Sequence, residues 1–339
     1  KIATTCIHRF WFSNYFSLSK NLFFLLYTFF GELYFYYIPK GLIKKKPINC
    51  YEIPGIFDID EDDNIYGIFN DKALNIISFD YNLKKFNKIN TICYDYKNYS
   101  LDFPYIKFIG EDIHVIYYLT CNKSATTILF HHYRHNGKWF ENKIDIINIS
   151  LLDNFTVFFN NDTPIIFYLG SVDGVTQVLT STFNNSTCMW SSPIALTSSI
   201  SNKVFLSVIN DPLNFYHIAF SESQDYGYSI SYINGYLNTD KFNVNYTNYI
   251  TQPSDCMFPS LIKFKDTLYL MWVENKRLYT SQSSDLGLSW SEFLEDEYTL
   301  TNKFTRCFLK SNYDSDLLFN CSSIFIESNN ISILGFHNK

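Results

Sequence analysis

The chain repeats itself, and that repetition limits what it can fold into more than any single motif does. An apolar strand, an acidic turn, two further strands and an aromatic corner recur about every 50 residues, a fixed period of the kind that marks repeat architectures. The acidic turns stand at Asp63, Glu111, Asp162, Asp211, Asp266 and Asp314, and the aromatic corners, mostly followed by Asn or Ser, at Phe86, Trp139, Trp190, Phe242 and Trp290. Two independent markers keep one beat. The unit is clearest from Ser260 to Phe293, where SLIKF, LYLMWV, RLYTSQS and WSEFL read as four short strands separated by turn residues. A four-stranded antiparallel sheet cannot close on itself and must bury both faces against neighbours, so such units stack radially. The expected fold is therefore all-β: a β-propeller of four-stranded antiparallel blades in a single domain, 1–339. The blades fall at 1–50, 51–98, 99–149, 150–199, 200–250, 251–300 and 301–339, with more polar outermost strands. Seven blades is the count; six is the alternative, the N-terminal segment then completing the short last unit.

Composition agrees with strands. Of 339 residues 47% are hydrophobic and 19% aromatic, with 33 Phe and 27 Tyr, enough apolar surface to offset the ordering cost of folding and of a type that suits pleated sheets. The formal net charge of -6 excludes the basic face that nucleic-acid binding requires. Lys44, Lys45 and Lys46 form one basic run, read as a charged strand edge. The most apolar stretch, Asn21 to Ile38, is interrupted by Gly31-Glu32 and reads as two strands around a turn, not a membrane span. The N-terminus, beginning at Lys1, has no signal-peptide pattern. Asn136-Gly137 and Asn234-Gly235 are the strongest two-residue hairpin signals, because a type I′ turn needs positive φ at both central residues.

One segment carries a family motif. Ser283-Ser284-Asp285-Leu286-Gly287-Leu288-Ser289-Trp290 matches S-x-D-x-G-x-[ST]-W, and here the chain resembles the Asp-box or BNR-repeat proteins, which include sialidases. In that family the box is structural and sits on the blade periphery between third and fourth strands. The resemblance thus assigns Ser283, Asp285, Gly287, Ser289 and Trp290 a structural role and says little about chemistry. Tyr51-Glu52-Ile53-Pro54 is similar to the segment that opens the sialidase catalytic domain, with Glu in place of arginine. Sialidases clamp a carboxylate with three arginines and use a tyrosine nucleophile. The four arginines here, Arg9, Arg134, Arg277 and Arg306, show no matching pattern, so the expected fold is sialidase-like without the arginine triad.

Other candidates have bland readings. Asp58, Asp60, Asp62 and Asn64 alternate loosely like a calcium loop but lack its glycine, which is Asp63 here, and read as a solvated acidic turn. His131 and His135 share a strand face with His132 between them, yet lack a third convergent ligand and read as an exposed strand edge. The eight Cys are scattered without C-x-x-C pairs and read mostly as packed thiols. Asn-x-Ser/Thr triplets such as Asn98-Tyr99-Ser100 and Asn245-Tyr246-Thr247 follow from an Asn-rich composition that looks bacterial. No metal and no cofactor are expected, and catalytic residues are not assigned. The expectation is a non-catalytic propeller recognising a glycan or protein partner at the cell or spore surface, through aromatic-rich loops. The alternatives are a self-assembling surface or appendage subunit, using Cys6 and weakly charged outer segments such as Ile144 to Ile149, and a glycosidase of sialidase-like fold with paired axial carboxylates.

Overall fold

A computed structural model gives the fold. It describes residues 56–60, 62, 64–80, 85–124, 126–149, 151–238, 241–311, 319–327 and 333–336, plus the backbone of four strands within 14–47. Asp63, Asp314, Cys6, Cys50, Arg9 and the Tyr51–Pro54 segment lie outside the described residues.

The strands form two compact units, 1–147 with 307–317, and 148–306 with 318–339. In the first, β1 (Asn14–Leu18), β2 (Phe24–Phe29), β3 (Glu32–Tyr37) and β4 (Lys44–Pro47) form an antiparallel meander. The apolar stretch thus makes two paired strands, and the lysine run is the terminal strand of its sheet. Among the described residues no helix is long and apolar enough to cross a membrane. Two further four-stranded meanders follow: β5 (Ile56–Ile59), β6 (Ile65–Asn70), β7 (Ala73–Asp80) and β8 (Lys85–Cys93), then β9 (Tyr99–Ile109), β10 (Asp112–Cys121), β11 (Thr127–His135) and β12 (Lys138–Ile147). Ile65, Ile68, Leu74 and Ile76 pack with Ile106, Ile113 and Val115 between these two sheets.

The second unit repeats the scheme. Its first sheet holds β13 (Thr156–Asn160), β14 (Thr163–Val172) and β15 (Val175–Asn184), with the fourth position split into β16 (Met189–Trp190) and β17 (Ile194–Ala195). Then come β18 (Lys203–Asp211), β19 (Phe215–Gln224), β20 (Gly227–Leu237) and β21 (Phe242–Tyr249), and next β22 (Met257–Phe264), β23 (Thr267–Glu274), β24 (Arg277–Ser283) and the short β25 (Leu294–Glu295). After β26 (Phe304–Ser311), the chain returns as β27 (Phe319–Cys321), which pairs antiparallel with the free edge of β22, and continues into β28 (Ile324–Glu327). Facing sheets bury Phe167, Leu169, Tyr216 and Ile218 in one layer and Tyr232, Leu261, Leu270 and Trp272 in the next. Each such aliphatic side chain contributes about 1.5–3 kcal/mol when removed from water, so sheet faces carry most of the stability.

The chain is therefore all-β, built from four-stranded antiparallel sheets, and its outermost strands β8, β12 and β21 are mostly solvent-facing as a radial stack requires. The recurring aromatic-Ser corner has a local cause. Ser191, after Trp190, accepts the Thr182 N–H at 3.1 Å and Ser291, after Trp290, accepts the Gln282 N–H at 3.0 Å, each satisfying a third-strand donor where the fourth strand is too short to do so.

Two local expectations are corrected. Asn234-Gly235 is not a hairpin turn but lies inside β20, at a bulge against β21. A side chain at Gly235 would meet the Asn243 carbonyl at 2.2 Å, so glycine serves close strand approach there. Asn136-Gly137 does form the β11–β12 turn, with φ of 49° and 74°. Asp211 is the last residue of β18 and not a turn residue, its carboxylate held by Lys263 and His217. Gln224 ends β19 and Gly227 begins β20, so Asp225 and Tyr226 form the turn between them.

Candidate active site

The first strands of three sheets share an irregularity that the sequence did not announce. Phe103, Phe205 and Phe258 have φ of 49°, 58° and 55°, each at a bulge where register with the second strand slips. A bulky residue in the left-handed region costs of order 1–3 kcal/mol and persists only where surrounding packing imposes it. In the second unit the Phe205 and Phe258 rings pack together, centroids 4.2 Å apart. The bulge leaves the Leu206 N–H outside the ladder, and Asp153 accepts it at 2.5 Å; the corresponding residue after Phe258 is Pro259, which has no N–H to satisfy. Burial raises the Asp153 carboxyl, with the Arg306 charge opposing. Arg306 donates from Nε to Ser323 at 3.0 Å, Ser207 bonds Ser322 at 2.5 Å and accepts the Leu261 N–H at 2.8 Å, and Ser260 donates to the Ser323 carbonyl at 2.6 Å. These bonds tie the inner strands together and occupy their own polar groups.

Beside each bulge, two side chains meet where the first strand begins and the second ends. In the β18–β19 hairpin they are Lys203 and Glu222, both almost fully buried, 3.7 Å apart, with Ser199 and Ser231 donating to the carboxylate. In the β22–β23 hairpin the residue matching Glu222 is again an acid, Glu274, while Cys256 stands where Lys203 does and a second acid, Asp255, precedes it. Burial first, then the Glu274 charge, raises the Asp255 carboxyl above its usual range, although Asp255 is exposed.

The local sequence explains how this pair is presented. Gly227, at φ 130°, lets β20 press against the loop before β22: a side chain there would lie 2.3 Å from the Ser254 carbonyl. The Tyr228 N–H then donates to Ser254 at 2.6 Å and the Ser254 N–H to Tyr228 at 3.0 Å, fixing Asp255 on a bridge to Tyr228. Glu274 precedes the turn residues Asn275 and Lys276, both with positive φ, and the Arg277 guanidinium beyond them pairs with Glu295 at 2.8 Å. The buried Cys256 thiol beside Asp255 is pushed up to about 12, by desolvation first and then by the Glu274 carboxyl, and stays protonated. Two carboxyl groups, one of them raised and exposed, can supply an acid and a base to one substrate bond. In the sequence each acid stands alone, Asp255 before its strand and Glu274 at the end of the next, so no local pattern joins them.

The residues singled out from sequence fall elsewhere. Ser283 accepts the Gly287 N–H at 2.8 Å, Asp285 accepts the Ser289 hydroxyl at 2.6 Å and its N–H at 2.9 Å, and the Trp290 indole donates to the Gly287 carbonyl at 3.1 Å, all between β24 and β25. Chiefly the Ser289 bonds hold the Asp285 carboxyl down at about 2. Gly287, at φ 86°, sits where a side chain would strike the Tyr232 hydroxyl. Arg277 and Arg306 have the separate partners already given, and Arg134 lies on β11 of the other unit. Asp58 is not solvated: it is buried on β5 and pairs with Lys107 of β9 at 3.1 Å. Asp60 accepts the N–H groups of Asp62 and Asn64, an acidic turn closed on itself. The histidines are not an exposed edge either. His131 is fully buried against His114, nitrogens 3.0 Å apart, and only His135 is substantially exposed. Cys93 is exposed and Cys256 buried, both free thiols. Among the described residues no cluster of three metal-ligating side chains occurs.

No family model matches the chain. No curated protein is similar to it in sequence. Solved structures are similar in fold. A polysaccharide lyase, the PL25 ulvan lyase, superposes with a TM-score of 0.57 at 12% identity, covering 94% of this chain and 89% of its own. The GH93 α-L-arabinofuranosidase of Fusarium graminearum, solved with arabinobiose, gives 0.53 at 11% identity, covering 81% and 92%. The polysaccharide lyase Uly1 gives 0.53 at 10% identity, covering 86% and 83%. The strand order within each sheet and these likenesses together make the chain a β-propeller, of the fold these carbohydrate-active enzymes share.

Proposed function

We propose that this chain is a carbohydrate-active propeller that cleaves glycosidic bonds, with Asp255 as the acid and Glu274 as its partner carboxylate. The observation that carries this reading is that the β22–β23 hairpin has Asp255 and Glu274 where its neighbour closes on the buried Lys203–Glu222 ion pair, with burial and then the Glu274 charge raising Asp255. Like charges side by side cost stability, and such local costs concentrate at functional sites. The fold's likeness to an arabinofuranosidase and two polysaccharide lyases supports a glycan as substrate.

The test is a panel of neutral and acidic polysaccharides, arabinan and ulvan among them, assayed for new reducing ends and for absorbance of unsaturated products. Turnover that vanishes in Asp255→Asn and Glu274→Gln supports the proposal; turnover that survives both overturns it. A second reading, glycan recognition without cleavage, is favoured by the exposed Tyr226, Tyr249 and Phe293 of the same unit, whose rings can stack on sugar faces. Binding without products from any substrate would select it.

A further inference from the structure

The dipeptide Asn-Gly occurs twice, at Asn136-Gly137 and Asn234-Gly235, and the fold treats the two copies in opposite ways. Asn136 and Gly137 are the two central residues of the β11–β12 hairpin, exposed, with His135 registered against Lys138, so that neither belongs to the ladder. Nothing lies within 4 Å of the missing Gly137 side chain. Beside the turn, Asp112 and His135 form a dyad: His135 Nδ1 donates to the Asp112 carboxylate at 2.9 Å, and Tyr133 donates its hydroxyl to the same carboxylate at 2.8 Å. That arrangement leaves Nε2 facing the Asn136 amide nitrogen at 2.9 Å. Asn234, by contrast, is fully buried and donates to the Leu286 carbonyl at 2.9 Å and to the Tyr232 hydroxyl at 3.2 Å, while Gly235 is paired on both sides, with Tyr216 and Val244.

We infer that Asn136-Gly137 is a site of spontaneous backbone-directed deamidation, assisted by His135. The Gly137 nitrogen loses its proton and bonds to Asn136 Cγ; the Cγ–Nδ2 bond breaks and ammonia leaves, giving a succinimide. Water then opens the ring to aspartate or isoaspartate. Solvent hydroxide takes the Gly137 proton, the departing nitrogen must gain one, and His135, with Nε2 2.9 Å from that nitrogen, is placed to deliver it when protonated. The product puts a new carboxylate beside Asp112, and the isoaspartate form adds a backbone carbon to a two-residue turn whose geometry fixes the β11–β12 register.

The test uses the intact folded protein, incubated at neutral pH and 37 °C, with peptide mapping for the one-dalton gain and for isoaspartate at both dipeptides. Denatured protein, in which both copies are released, sets the intrinsic rate. Folded protein should convert 136 faster than 234 by about tenfold or more, because 234 reacts only after local unfolding. Equal rates at the two sites, or an unmodified Asn136 under conditions where denatured chains convert both, would overturn the inference. His135→Gln should slow conversion at 136 severalfold without altering the rate in denatured protein. An unchanged folded rate, with an unchanged circular dichroism spectrum, would remove His135 from the reaction.

Discussion

The β18–β19 and β22–β23 hairpins are built alike, each with a bulged first strand carrying a strained phenylalanine, yet they spend the residues at their shared corner differently. Lys203 and Glu222 neutralise one another out of water and are capped by serines. Asp255 and Glu274 face solvent as like charges. The first corner is a lock; the second holds reactivity that no packing need explains. One hairpin frame can therefore carry an internally paired corner or an acidic one open to solvent.

The sharpest way to break this contrast is to remove a carboxylate. Asp255→Asn should lower glycan turnover by about 10²–10⁴-fold, the usual worth of a positioned acid or base. Its stability to urea should stay within about 0.5 kcal/mol of the parent. A variant that loses activity only because it unfolds would erase the distinction. Lys203→Met should behave in the reverse sense, costing about 3–5 kcal/mol in urea melts because Glu222 is left charged and buried, while sparing turnover per folded molecule.

A buried histidine pair on neighbouring strands, β10 and β11, sharpens the comparison further. His114 and His131 are held below the ordinary imidazole range chiefly by desolvation, His114 to about 4. Asp112 opposes the shift at His114, and His132 adds to it at His131. Their folded pKa values are depressed, so the stability they permit is complete above about pH 6.5 and is lost as pH falls from there towards 4. Urea melts should show a loss of about 2 kcal/mol between pH 7 and pH 4.5, and His131→Phe should reduce that slope. The smallest effect concerns the acid pair itself. In Glu274→Gln the Asp255 carboxyl should titrate at lower pH, one of its two raising causes having gone, as carboxyl NMR would report. An unmoved titration would mean that burial alone sets it.

How much of this could be read from the chain follows from the range of the interaction involved. The beat of acidic turns and aromatic corners is written locally, in residues that shape their own turns, and so are the Asp-box bonds around Asp285 and the φ of Asn136 and Gly137. Asn234-Gly235 misled because the same glycine freedom that serves a turn also serves the close approach of β21, and only the bulge tells them apart. His131 reads as exposed until His114, on the preceding strand, is placed beside it. Asp58 reads as solvated until Lys107 arrives from the next sheet. The Asp255–Glu274 pair was hidden by the same distance, since each acid alone resembles an ordinary strand end. A non-catalytic role was the natural reading of a sequence whose candidate acids become neighbours only after the hairpin closes.

The strand Phe319–Cys321 has a consequence for how the protein is made. It completes the edge of Met257–Phe264 from far downstream, so a ribosome delivers that sheet with Ile262, Lys263 and Phe264 exposing unpaired backbone until Phe319–Cys321 has emerged. During that interval the nascent polypeptide carries an open edge flanked by apolar residues, the kind that captures other chains. Premature termination before Phe319 should therefore yield inclusion bodies, not a soluble fragment missing a tail.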